Sequence, residues 1–204
     1  MNDRVILETM RSLNSIDHSQ VLAIAEAIAD VKAIGGRLFT AGCGGGAAHA
    51  SHAAADFRNL CGLESYCISD NTAALTAATN DHGWNSSYFG YMKASHFQRY
   101  DGLLLISVGG GNRDHNLSIN LIEAAHYARQ CCGTILGIFG RDGGECKLLS
   151  DHYVLIPCDR PAFVTPVTEG VQSVVLHALA VHPLLSETQP AWETATKESL
   201  HGNE

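Results

Sequence analysis

A chain of 204 residues with 46% hydrophobic content is long enough to bury one full α/β core. Its formal net charge of −8 excludes a general binder of nucleic-acid backbones. It has no apolar run of about 18 residues and no signal-peptide core after Met1-Asn2-Asp3-Arg4, which argues against a helical membrane span and points to the cytoplasm.

In chain order, the spacing of apolar residues predicts a short helix over Asp3–Leu13 and a second over Asp17–Ile34, where Val21, Ile24, Ala25, Ile28 and Val31 share a face. Gly35-Gly36 stops it. Five apolar strands follow at Arg37–Ala41, Ser65–Ile68, Gly102–Ser107, Thr134–Phe139 and His152–Ile156. Helical patterns separate them at Ala47–Arg58, Asn71–Ala78, Asn85–Arg99, Asn116–Arg129 and Gly143–Leu149. Thr165-Pro166 reads as the cap and first residue of a last apolar helix, which Pro183 ends. Strand–helix alternation with continuously apolar strands predicts an α/β fold: a five-stranded parallel sheet covered on both faces, a three-layer αβα sandwich. The expected organisation is N-terminal helices at 1–34, an α/β domain at 35–184 and a polar tail at 185–204 with a weak helix over 192–200. The seven cysteines form no CxxC pair, so most of them read as reduced core residues and a zinc ribbon is not supported.

Ligands of open parallel sheets bind beyond the carboxyl ends of the strands. Three glycine turns fall there: Gly42-Cys43-Gly44-Gly45-Gly46, Ser107-Val108-Gly109-Gly110-Gly111-Asn112 and Gly140-Arg141-Asp142-Gly143-Gly144. Backbone N–H groups in such turns suit an anion. None matches GxGxxG or a P-loop, so neither a dinucleotide nor a nucleotide triphosphate is indicated. His52 and Asp56, at i and i+4, project from one face of the helix after the first turn. Glu169 and His177 stand eight residues apart on the last helix. Two histidines and two carboxylates are ligand types that zinc accepts, but eight residues span about 12 Å of helix. Either the first turn is distorted, or neighbouring subunits share the site, or only part of the set binds metal. Asp70 reads as a helix cap, and Asn80 and Asp81 as candidate contacts to a polyol. His49 shares the glycine-turn helix; the remaining histidines read as surface or cap residues.

These motifs together resemble the sugar isomerase (SIS) domain family, in its phosphoheptose isomerase branch. The resemblance runs over about residues 20–182 and rests on Gly42-x-Gly44-Gly45 leading to His52 and Asp56, Ile68-Ser69-Asp70 with Asn80-Asp81, Asp101 to Ser107, Glu123-Ala124-Ala125, Gly140–Gly144, and Glu169 through His177. It implies a doubly wound, flavodoxin-like SIS fold and a homotetramer with active sites between subunits. It implies isomerisation of sedoheptulose 7-phosphate to D-glycero-D-manno-heptose 7-phosphate, or a close analogue, with zinc or another divalent metal. By position, the metal set falls on His52, Asp56, Glu169 and His177, with Asp56 as base and His177 as partner acid/base. Substrate contacts fall on Cys43, Gly44, Gly45, Gly46, Asn80, Asp81, Ser107, Gly109, Gly110, Gly111, Asn112 and Glu169. The chain departs from the family pattern in having Asp56 for Glu, Glu169 for Gln, Gly46 for Ser, and glycines in a longer loop after Ser107. The alternative reading is a non-catalytic SIS protein that binds a sugar phosphate as a regulator.

Overall fold

The computed structural model describes residues 3–194. Helices α1 (Arg4–Asn14) and α2 (His18–Ala33) precede β1 (Leu38–Gly42), α3 (Gly45–Asn59), β2 (Ser65–Cys67), α4 (Thr72–His82) and α5 (Ser87–Ala94). Then come β3 (Gly102–Ser107), α6 (Ile119–Gln130), β4 (Thr134–Phe139), α7 (Gly144–Leu149), β5 (His152–Leu155) and α8 (Val164–Ala180). The five strands pair in the order β2-β1-β3-β4-β5, all parallel. That is the doubly wound order in which the chain reverses direction beside β1 and β3, opening a crevice at their carboxyl ends.

Successive residues of each strand feed opposite faces, and both faces are apolar. Leu38, Leu104, Ile106, Leu136, Ile138 and Val154 pack with α2, α3 and α8. Phe39, Ala41, Leu103, Leu105, Ile135 and Phe139 pack beneath α5 and α6. Because α2 gives Ile24, Ala25 and Ile28 to the first core, residues 1–34 share that core with residues 35–184. α1 lies against α8. Among the described residues no helix is long and apolar enough to cross a membrane.

The amino edge of the sheet is fastened by charge. Asp101, 1% exposed, accepts hydrogen bonds from Arg37 Nε and Nη2, from the Arg37 backbone N–H and from the Gln98 N–H. This ties the starts of β1 and β3 together and leaves the carboxyl edge free for a ligand.

Several boundaries differ from the sequence reading. The helix expected over Asn85–Arg99 is a 3₁₀ turn at Trp84–Ser86 followed by α5, which ends at Ala94 so that buried Phe97 can reach the core. Asn71 caps α4, its side chain accepting from the Ala74 N–H; Asp70 does not. α8 begins at Val164, straight out of the 3₁₀ turn Pro161–Phe163. Thr165 and Pro166 therefore sit inside its first turn, where a missing N–H costs nothing. Residues 191–194 form one helical turn. The rest of the expected 192–200 helix lies outside the described residues.

Candidate active site

Two regions carry the predicted site residues. The first is the rim at the carboxyl ends of β1, β3 and β4. Glycine at 46 is required by packing: a Cβ there would stand 2.5 Å from the Ile106 carbonyl oxygen, so α3 can lie on β3 only without one. Gly44, at φ +57, turns the chain into the helix. The second glycine loop leans on the third, since the Gly110 and Gly111 carbonyls accept the N–H groups of Cys146 and Glu145. The Ser107 hydroxyl accepts from the Gly110 N–H at 3.0 Å and keeps its own proton to donate. Residues 112–117 close into a small hairpin through two backbone bonds of 2.9 Å between Asn112 and Leu117. Arg113 staples the hairpin to Glu123 and Glu145.

Between hairpin and turns lies a cavity of about 500 Å³, bordered by Cys43, Ser107, Gly109, Asn112, His115 and Arg141. It is large enough for a phosphosugar. Cys43 contacts Asn120, and burial pushes its thiol above the ordinary value, so it borders the cavity as a neutral group. Sequence reasoning missed His115, Ser118 and Arg141 as lining residues. Arg141 was signalled by its glycine motif, whereas nothing local marked the hairpin that carries His115. Asn80 and Asp81 lie elsewhere, hydrogen-bonded to each other in the last turn of α4, with Asp81 in a separate cleft beside His82 and Lys93.

The second region is the flank formed by α3 and α8, which run side by side in the same direction. Small buried residues of α3, Ala50, Ala53 and Ala54, face Val171, Val175 and Leu179 of α8 in one core. Across this seam His52 Nε2 and His177 Nε2 lie 3.1 Å apart. Asp56 Oδ2 is 3.3 Å from His52 Nε2 and 3.9 Å from His177 Nε2. His177 Nδ1 lies 2.8 Å from the Ser173 carbonyl, which can only accept, so Nδ1 carries a proton and Nε2 is the ring nitrogen that faces Asp56 and His52. Two imidazole nitrogens and a carboxylate oxygen, all within 4.8 Å of one another, form a set able to hold a metal ion. A tetrahedral ion with bonds of ~2.0–2.1 Å spaces its ligands about 3.3 Å apart, which these separations approach.

Glu169 does not join this cluster. It stands two turns earlier on α8, at the rim, where a Cβ on Gly45 would lie 2.5 Å from its Oε1. The reason is the level along the seam: Glu169 is opposite Gly45, and His177 is opposite His52. The four groups therefore do not share one pocket within a protomer; three meet on the flank and the fourth faces the first turn of α3. Half-buried His49 is also outside the cluster, with its Nδ1 unpartnered.

Residues 4–140 match the SIS domain family. The chain is 32% identical over 150 residues to the phosphoheptose isomerase of Helicobacter hepaticus, which covers 71% of each protein. The chain belongs to the SIS domain family, in its phosphoheptose isomerase branch. It is also 32% identical over 163 residues to the lincomycin biosynthesis protein LmbN of Streptomyces lincolnensis, covering 77% of this chain but only 59% of that longer protein. Its fold is that of the phosphoheptose isomerase GmhA from Neisseria gonorrhoeae, with a TM-score of 0.74, 26% identity, and coverage of 86% of this chain and 92% of that one.

Proposed function

We propose that the chain is an aldose–ketose isomerase of phosphosugars, acting on sedoheptulose 7-phosphate or a close analogue to give the corresponding heptose 7-phosphate. The observation that carries this reading is the meeting of His52, Asp56 and His177, from two helices more than a hundred residues apart in sequence, in a chain of this branch. A carboxylate and an imidazole 3.9 Å apart can serve two neighbouring carbons and their oxygens at once, which a proton transfer between those carbons needs. Asp56 takes a proton from C1 of the ketose and returns it to C2. His177 moves the hydroxyl proton from O1 to O2. Glu169, facing Gly45 at the rim, is placed for a sugar hydroxyl.

His52, Asp56 and His177 would hold a divalent ion such as zinc, whose chemistry is to polarise the carbonyl and hydroxyl oxygens of the sugar. Such binding would take up the Nε2 lone pair of His177, so metal analysis also decides whether that residue moves protons or binds the ion. We further propose a homotetramer in which the flank of one protomer faces the rim of its neighbour. Two observations support this: the His52 and His177 side chains are more than half exposed, and the paired helices α1 and α8 leave Ile6, Leu7, Met10 and Val174 open to solvent.

Purified protein incubated with sedoheptulose 7-phosphate tests the reading. The expected result is conversion to an aldose phosphate, with bound divalent metal that His52→Ala releases. Absence of turnover with metal supplied would overturn it.

A further inference from the structure

A phosphate monoester carries up to two negative charges, and the rim offers few places for them. The loop Val108-Gly109-Gly110-Gly111 has no side-chain donor. The N–H groups of Glu145 and Cys146 are already given to the Gly111 and Gly110 carbonyls. The first turn of α3 is faced by the Glu169 carboxylate, which repels a second anion. Arg113 is taken by Glu123 and Glu145.

Among the described residues, one permanently charged cation borders the cavity without a partner. Arg141 makes no hydrogen bond or ion pair among the described residues, although it lines the same space as Ser107 and Asn112. Its backbone sits at φ +50, a conformation that a residue with a side chain seldom adopts. The turn is held there by a Gly143 N–H bond to the Gly140 carbonyl and a Gly144 N–H bond to Asp142 Oδ1. Its stem runs over Gly109, where an added Cβ would meet Arg141 Cδ at 3.5 Å. That is an ordinary van der Waals distance, so Arg141 lies along the Gly109 backbone at the edge of the cavity both residues line. The negative group nearest to it in the lining is Asp142, already engaged by the Gly144 N–H.

We propose that Arg141 is the charge that recognises the substrate's phosphate, its guanidinium fork taking two phosphate oxygens while Ser107 and the Asn112 amide donate to the others. This rests on the phosphosugar reading above. It makes Arg141 a specificity-determining residue: in this chain an arginine fork supplies the side-chain donors that the glycine loop lacks.

Steady-state kinetics and calorimetry test it. Arg141→Gln should raise KM for sedoheptulose 7-phosphate at least about tenfold and weaken competition by inorganic phosphate equally, with Arg141→Lys losing less. Arg141→Gly relieves the left-handed backbone, so it should melt no lower than wild type while showing the same losses. Wild-type KM and phosphate competition in both the Gln and Gly variants would overturn the proposal and leave the isomerase reading standing. If the wild type turns over no substrate, the isomerase reading falls and calorimetry decides alone. A preference for sedoheptulose 7-phosphate over unphosphorylated sedoheptulose that Arg141→Gly abolishes sustains the role of Arg141. No such preference overturns it.

Discussion

At the rim, the chain bends through Gly44, Gly110, Gly111, Arg141, Gly143 and Gly144, all at positive φ, and the cavity walls are loops that hold one another by backbone hydrogen bonds. On the flank, His52, Asp56 and His177 ride on two regular helices, and their meeting follows from helical spacing and the level at which α3 and α8 pack. The rim uses strained or glycine backbone, which under the proposed function brings donors to a charged group. The flank uses two regular helices, which under the same proposal hold the reacting side chains to a fraction of a turn. The two regions should therefore respond differently to substitution.

The sharpest separation is expected at Asp56. Asp56→Asn should lower turnover by about 10²–10⁴-fold, because a general base contributes on that scale. The substitution keeps the size and shape of a side chain that is 20% exposed, so the melting temperature should stay within about 2 °C of wild type. Near-normal turnover would remove Asp56 from the chemistry.

A control lies at the amino edge, far from both regions. Asp101→Ala strips four hydrogen bonds from Arg37 and Gln98 and should cost about 3–5 kcal/mol in urea unfolding, as breaking a buried ion pair does. A loss below about 1 kcal/mol would contradict the role of this clasp.

A smaller effect, mixed in kind, is expected where the regions join. Gly46→Ala pushes a methyl toward the Ile106 carbonyl, which is backbone and cannot turn aside. It should cost about 1–3 kcal/mol and also weaken substrate binding, since α3 must shift from the rim. Stability lost without any change in KM would separate α3 packing from the cavity.

The smallest effect is a pH dependence of the core beneath the rim. Burial pushes the Cys146 thiol from 9.0 to about 12, and burial likewise raises the Tyr88 phenol, whose hydroxyl donates to the Gly42 carbonyl. Groups with raised folded values hold their stability below the unfolded value and lose it as pH climbs. Unfolding midpoints should therefore fall from about pH 9 upward, and a flat profile from pH 8 to 11 would contradict the burial of these groups.

What could be read from the sequence divides along the same line. The strands were legible to within a residue because continuous apolar runs bounded by glycine have one reading; β3 and β4 fall on the expected limits. The His52–Asp56 pair was legible because i, i+4 is a property of any helix. The level of α8 against α3 was not, because it depends on how Ala50, Ala53 and Ala54 seat against Val171 and Val175. Spacing along α8 therefore sets Glu169 beside His177 in the sequence reading, whereas within the protomer its carboxylate lies against Gly45. The 112–117 hairpin was hidden because Asn112 pairs with Leu117 across a turn whose residues Asn116 and Ser118 take positive φ without glycine. Thr165-Pro166 misled because a 3₁₀ turn already delivers the chain into α8.

The proposed function joins the two regions: the flank of one protomer would work on a sugar whose phosphate is held at a neighbour's rim. Mixing two inactive proteins tests it. Asp56→Asn spoils the flank, and Gly109→Phe fills the cavity from a position with open space at its Cβ apart from Arg141. After the two are unfolded and refolded together, the account predicts that turnover returns, because some sites pair an intact flank with an intact rim. A mixture as inactive as either parent, with mixed oligomers demonstrated by mass, would contradict it.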